Sequence, residues 1–191
     1  MGKLTLYVIR HGQSENNFES KWTGWYDTPL TEDGLKQAEA LGEFLKGVEF
    51  TKVYSSDLSR AVITAKTAIP DCEPTLTPLL REINVGSIVN KPLNFLTPEQ
   101  RERVSIEGYA EFGGESRLDI KNRIAEMLSI IEKEESGTIA LFCHAGWLRN
   151  MFSYTFGDSV NLKNLITRNC ALGIFEFSNG NWLLNSLINF N

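Results

Sequence analysis

Short apolar runs alternate along this chain with longer stretches in which apolar residues return every three or four positions. Residues 4–9 are apolar and β-branched and stop at Arg10-His11-Gly12. That pattern predicts a buried strand ending in a polar turn. Thr31 is placed to cap a helix over 32–46, with Leu35, Ala38, Leu41 and Leu45 on one face. A second strand is expected at 51–54, followed by Ser55-Ser56-Asp57 as caps for a helix over 58–68, with Pro70 just beyond it. Residues 75–80 read as a strand leading into Arg81-Glu82, and 84–96 show no period and read as a loop. Thr97-Pro98-Glu99-Gln100 combines a capping residue, a first-turn proline and a Gln at the third helical position, a strong helix start. A long amphipathic helix is expected from 116 to about 134, with Ile124, Met127, Leu128 and Ile131 inward. Residues 138–143 form another apolar run ending at His144, before a helix over 146–156 closed by Gly157. Two further strands, at 173–177 and 182–188, flank Asn179-Gly180, the strongest short hairpin signal.

Strands alternating with helices imply an α/β chain with a mainly parallel sheet covered on both faces. The hairpin adds an antiparallel C-terminal edge. At 191 residues the chain is expected to form one domain over 1–191. In such sheets ligands bind outside the carboxyl ends of the strands. Both histidines of the chain, His11 and His144, fall at that end of an expected strand.

Composition narrows the function classes. A net charge of -5 and a pI of about 5.2 disfavour general binding to nucleic acid or an anionic membrane. Cys72, Cys143 and Cys170 are an odd set without a close pair, against both a disulfide framework and a zinc site. No apolar stretch approaches a membrane span, and the first nine residues lack the features of a signal peptide. A reduced, cytoplasmic compartment is therefore expected. No phosphate-binding loop of the G-x-x-x-x-G-K-S/T type follows a strand, and no acidic or His cluster suggests a metal. Gly113-Gly114-Glu115-Ser116 reads as the turn and cap of the long helix rather than a phosphate loop. Oligomeric state is left open.

Either histidine alone is as readily a structural residue at a loop start as a reactive one. Together they bring two imidazoles to one rim of the sheet. Arg10 is adjacent to His11, and Arg60 lies in the first turn of the helix after Tyr54-Ser55-Ser56. Guanidinium forks match phosphate oxygens bidentately, and helix starts such as that after His144 add backbone donors. A neutral imidazole can serve as nucleophile toward phosphorus, and a nearby acid must protonate the departing alkoxide. Glu82, after the third strand-like run, is the candidate acid. Trp22, Trp25 and Tyr26 are open to either a core or a rim position.

These residues resemble the histidine phosphatase superfamily, in the branch that includes phosphoglycerate mutase. Arg10-His11-Gly12-Gln13-Ser14-Glu15-Asn16-Asn17 is similar to its R-H-G-x-S/T-x-x-N signature. Residues 22–31 with Gly34 and Gln37-Ala38, the block Tyr54-Ser55-Ser56-Asp57-Leu58-Ser59-Arg60-Ala61, the segment 80–86, Gly113–Ser116 and Cys143-His144-Ala145-Gly146 resemble its later blocks. The resemblance implies a three-layer α/β/α sandwich and an enzyme without metal or cofactor. It implies His11 as nucleophile and Arg10, Asn17, Arg60 and His144 around the phosphoryl group, joined by the backbone N–H of Ala145. Glu82 becomes the proton donor and acceptor, and Ser14, Thr23 and Gly24 face the rest of the substrate. Three departures stand out. Ser87-Ile88-Val89-Asn90 replaces the common W-E-G continuation, Ala145 replaces a glycine, and the paired-arginine R-R-S-Y segment of the glycolytic mutases is missing.

The expected function is hydrolysis of a small-molecule phosphate monoester through a phosphohistidine on His11. The first alternative is phosphoryl transfer between 2- and 3-phosphoglycerate, with Arg101 and Arg103 as candidate cations on a closing segment unless they simply face solvent. The second is a non-catalytic binder of phosphorylated ligands.

Overall fold

The computed structural model describes residues 3–134, 136–157 and 165–190. Six strands form one sheet: β1 (Leu4–Arg10), β2 (Lys52–Ser56), β3 (Thr75–Thr77), β4 (Gly137–Cys143), β5 (Leu172–Ser178) and β6 (Asn181–Ile188). Their order is β3-β2-β4-β1-β5-β6. The pairs β1–β4, β2–β4 and β2–β3 are parallel, while β5 runs antiparallel to both β1 and β6. The helices are α1 (Glu15–Phe18), α2 (Glu32–Leu45), α3 (Ser59–Ala68), α4 (Pro98–Glu107), α5 (Arg117–Ile131) and α6 (Ala145–Phe156).

The two-residue period of the strands divides their side chains between two cores. Leu4, Leu6 and Val8 of β1 and Ile139 and Leu141 of β4 pack with Ile124, Met127 and Leu128 of α5 and Trp147 and Met151 of α6. Ile9, Ala140 and Phe142 point to the opposite face, where Leu41 and Leu45 of α2 and Ala65 of α3 cover them. The result is a three-layer α/β/α sandwich with an antiparallel C-terminal edge, as the sequence pattern predicted. The hairpin joining β5 and β6 turns on Asn179 (φ 51°) and Gly180 (φ 77°). Two successive positive φ angles are what a type I′ turn demands, and Asn-Gly meets that demand.

A third, smaller cluster of Val85, Ile88 and Leu96, with Trp22, Val104 and Tyr109 against it, stands apart from both layers. It holds together a cap formed by residues 84–112, in which α4 buries none of its side chains.

Several expectations need correction. The run 75–80 splits into β3 and a 3-10 turn at Pro78–Leu80, because Pro78 cannot donate to the ladder. Leu35 is 39 % exposed rather than facing the core with Ala38 and Leu41. Ser55 and Ser56 lie in β2, and the start of α3 is capped from a distance by Asp27, whose carboxylate accepts from Ser59 N–H and Oγ–H, each at 2.9 Å. Within 84–96, Gly86–Ile88 forms a 3-10 turn, and α5 ends at Ile131 rather than 134. Among the described residues no helix is long and apolar enough to cross a membrane.

Phe175, fully buried between α6 and the sheet and edge-on to Phe152, tests the first core. Phe175→Ala is expected to cost about 3–5 kcal/mol of stability. Urea unfolding would register this as a lowered midpoint.

Candidate active site

Register decides where the two histidines meet. Arg10 pairs with Cys143 across β1 and β4, so His11 and His144 are the next residues on adjacent parallel strands. The His11 N–H donates to Cys143 O at 3.0 Å, which holds the two exits together. The imidazole centroids lie 4.9 Å apart.

His11 Nδ1 lies 2.6 Å from Gly12 O, so it carries the ring proton and donates it to that carbonyl. Nε2 is left with its lone pair, toward which Arg60 Nε–H donates at 3.3 Å. Burial, then the charges of Arg60 and Arg10, push the His11 pKa well below 6.5. His144 is depressed likewise, chiefly by burial and then by Arg60. Its Nε2 is 2.9 Å from Ser56 Oγ, and its buried Nδ1 has no partner among the described residues.

The two arginines are anchored by carbonyl oxygens. Arg60, in the first turn of α3 and 1 % exposed, donates to Tyr26 O and Gly24 O, both at 2.9 Å. Asp27 is 3.8 Å from it. Arg10 donates to Thr167 O at 2.6 Å and to Asn17 Oδ1 at 3.4 Å. Burial lowers both guanidinium pKa values to about 10, which leaves them charged at neutral pH.

Glu82 enters from the opposite side, on the segment following Pro78–Leu80. Its Oε1 accepts from Ile83 N–H at 2.9 Å and from Gly146 N–H at 3.0 Å. A β-carbon at position 146 would fall 2.3 Å from that oxygen, so glycine at the second residue of α6 is what admits the carboxylate. The Glu82 backbone is itself fixed. Its carbonyl accepts from Trp25 Nε1–H at 2.7 Å and from Arg123 at 3.2 Å, and Arg123 also pairs with Glu115 at 2.8 Å.

These groups line one cavity of about 920 Å³ that includes Arg10, His11, Asn17, Arg60, Glu82 and Ala145. Thr23 and Gly24 also line it; Ser14 does not, being fully buried beside α1 with its N–H donated to Asn17 Oδ1 at 3.3 Å. His144 lies behind His11 rather than on the cavity wall. Trp22 forms part of the cap side of the cavity, whereas Trp25 stacks beneath Arg81 at 5.0 Å. Gly113–Ser116 does serve as turn and cap, with Ser116 and Asp119 bonded reciprocally. Sequence reasoning missed Asp27, Ser56, Arg123 and Asn169, whose amide donates to His11 O and Asn17 Oδ1 at 3.3 and 3.1 Å. For Asp27 and Ser56 a signal existed, since both lie inside the quoted blocks. Among the described residues no group of three or more His, Cys, Asp or Glu is clustered to hold a metal.

The family model of the histidine phosphatase superfamily (branch 1) matches residues 6–189. The chain belongs to the histidine phosphatase superfamily. Within this superfamily it is 32 % identical to a probable phosphoglycerate mutase GpmB from Yersinia pestis, over 94 % of this chain and 88 % of the relative. Among solved structures it is similar to a phosphoglycerate mutase from Bacillus anthracis (TM-score 0.84, 25 % identity, 97 % and 92 % of the two chains). It is equally similar to a phosphoserine phosphatase variant from Entamoeba histolytica in complex with phosphoserine (TM-score 0.85, 25 % identity, 96 % of each chain).

The depressed histidine pKa values fix a stability trend for this member of the histidine phosphatase superfamily. Unfolded imidazoles near 6.5 bind protons that the folded ones refuse, so the unfolded state gains protons as pH falls below that value. Stability is fully present above about pH 6.5 and is lost progressively as pH drops toward the folded pKa values. Urea unfolding between pH 7.5 and 5 should show this slope, and it should flatten in His144→Asn; an unchanged slope would assign it to other groups.

Proposed function

We propose that the protein is a phosphatase that hydrolyses a small-molecule phosphate monoester, without a metal, through a phosphohistidine on His11. The contact that supports this most is the donation of His11 Nδ1–H to Gly12 O, which leaves a neutral ring with its Nε2 lone pair turned toward the Arg60 guanidinium. A phosphoryl group held by Arg60 and Arg10 would lie against that nitrogen.

The chemistry then runs in two displacements. The Nε2 lone pair attacks phosphorus, the bond to the ester oxygen breaks, and Glu82 gives its proton to the departing alkoxide. Glu82, now a carboxylate, takes a proton from water as the water oxygen attacks phosphorus. The P–N bond breaks and inorganic phosphate leaves. Arg10, Arg60 and Asn17 stabilise charge on the equatorial oxygens in both steps. Ser56 Oγ, 2.9 Å from His144 Nε2, holds that ring in place behind His11, so His144 acts by backing the nucleophilic imidazole. The N–H of Ala145 and the wall at Thr23 and Gly24 complete the cradle.

A second reading, transfer between 2- and 3-phosphoglycerate, draws support from the Yersinia relative's name. Of its two candidate cations, Arg101 lines the cavity but is tied to Leu93 O and Leu96 O, and Arg103 pairs with Glu111 at 3.5 Å. Comparing phosphate release with conversion of 3- to 2-phosphoglycerate decides between the two.

His11→Ala is expected to lower kcat for an aryl phosphate by at least about a thousandfold, and acid-labile phosphate should be trapped on the wild-type protein only. Full activity in the variant would refute the mechanism, and absence of trapped phosphate would favour a non-catalytic binder. Glu82→Gln should slow alkyl phosphates, whose alkoxides need protonation, more than nitrophenyl phosphate. Equal slowing of both would remove Glu82 from the role of acid. EDTA should leave the rate unchanged.

A further inference from the structure

The cavity holds more positive charge than a single phosphoryl group requires. Its lining carries six cations, Arg10, Lys21, Arg60, Arg101, Arg117 and Arg149, against one carboxylate, Glu82. The chain as a whole has a net charge of -5, so this concentration is local. Two of the six, Arg10 and Arg60, match a phosphoryl dianion. Lys21 pairs with Glu19 at 2.5 Å, and Arg101 is tied to two carbonyls.

Arg117 and Arg149 remain. Both are half-buried, and among the described residues neither has a carboxylate partner. Among the described residues Arg149 is held through Nε alone, which donates to Thr167 Oγ1 at 3.1 Å, and the outer fork of its guanidinium has no partner there. Arg117 is the first residue of α5. A cation there meets the positive end of the helix dipole, an unfavourable place unless an anion joins it. The carboxylate in the same turn, Asp119, is already engaged by Ser116 N–H and Oγ–H at 2.9 and 2.7 Å. A half-buried guanidinium without a counter-ion carries a desolvation cost that a bound anion offsets. Arg10 and Arg149 both donate to Thr167, to its O at 2.6 Å and its Oγ1 at 3.1 Å, so the two regions of the cavity are close.

We propose that the natural substrate carries a second anionic group, a carboxylate or a second phosphate, and that Arg117 and Arg149 are the specificity-determining residues that hold it. The proposal rests on the phosphatase reading for the orientation of the substrate, with the transferred phosphoryl group at His11 and the second anion between the starts of α5 and α6. It uses residues outside the segment in which the family's paired arginines would fall, a segment this chain lacks.

The test compares three esters of matched length: propyl phosphate, its analogue ending in a carboxylate, and propane-1,3-bisphosphate. Wild-type kcat/KM is expected to favour at least one of the esters that carry a second anionic group over propyl phosphate by about tenfold or more, and which one identifies that group. The preference should shrink as ionic strength rises. Arg117→Gln and Arg149→Gln should each cut the preference severalfold or more through KM, with kcat little changed, as expected when binding common to ground and transition states is lost. A wild-type preference near one, or a preference unchanged in both variants, overturns the proposal. If none of the esters turns over, the catalytic reading fails on its own. Calorimetric binding of propane-1,3-diphosphonate against propylphosphonate then becomes the readout. Equal affinity for the two would overturn the second-anion site, and tighter binding of the diphosphonate that is lost in the variants would support it.

Discussion

The parallel pairing of β1 with β4 is the constraint on which the site depends. With Arg10 opposite Cys143, the chain leaves both strands at the same level, and the next residue on each is a histidine. Shifting one strand by a single residue would turn its side chains to the other face and separate the imidazoles. The register is held by burial on both sides. Leu6 and Val8 alternate with Ile9, and Ile139 and Leu141 alternate with Ala140 and Phe142, each set sealed by its own pair of helices. The cores that stabilise the fold are thus also what fixes the distance between the two rings.

Around that pair the fold assembles positive charge without neutralising it. Arg60 and Arg10 are anchored mainly by main-chain carbonyls of Gly24, Tyr26 and Thr167, which fix a guanidinium without cancelling its charge. Asp27, the carboxylate nearest Arg60, is engaged at the start of α3. The same cations, added to burial, keep the imidazoles neutral. The environment separates the two kinds of group as the proposed mechanism requires: the guanidinium groups retain charge in the same low-dielectric pocket that denies it to the histidines.

Much of this was legible from the chain itself. Apolar runs ending at His11 and His144 announced parallel strands that bring the two histidines together, and Asn179-Gly180 announced the terminal hairpin, because both are local signals with a definite period or turn geometry. What stayed hidden depended on contacts distant in sequence. Asp27 caps a helix that begins 32 residues later. Arg123, midway along an amphipathic helix, reads as an ordinary solvent-facing position, yet it donates to Leu79 O, Arg81 O and Glu82 O and so sets the backbone of the candidate acid. Ser14 shows the reverse error, for its position in the signature suggested a substrate contact while its buried backbone serves the turn into α1. Leu35 failed because the buried stripe of α2 begins with Gly34 and runs through Ala38, Leu41 and Leu45, which leaves Leu35 on its flank.

The division between sheet and cap separates two questions. The floor of the cavity, built from strand ends and helix starts, carries the groups to which the proposed mechanism assigns the holding and activation of a phosphoryl group. The relatives carrying mutase and phosphatase names overlay this chain equally well, at TM-scores of 0.84 and 0.85, so the shared scaffold does not choose between acceptors. Discrimination must come from the side chains that meet the remainder of the substrate. In this chain many of those lie on the 84–117 segment, whose Tyr109 packs edge-on with Trp22 at 5.7 Å and whose α4 contributes no buried residue. A wall with so small a core of its own can change its lining with little cost to the sheet, whereas a change in the floor alters the register on which both histidines rely. Substrate and acceptor are therefore to be sought in the charge and shape of the cap, and the common handling of the phosphoryl group in the floor beneath it.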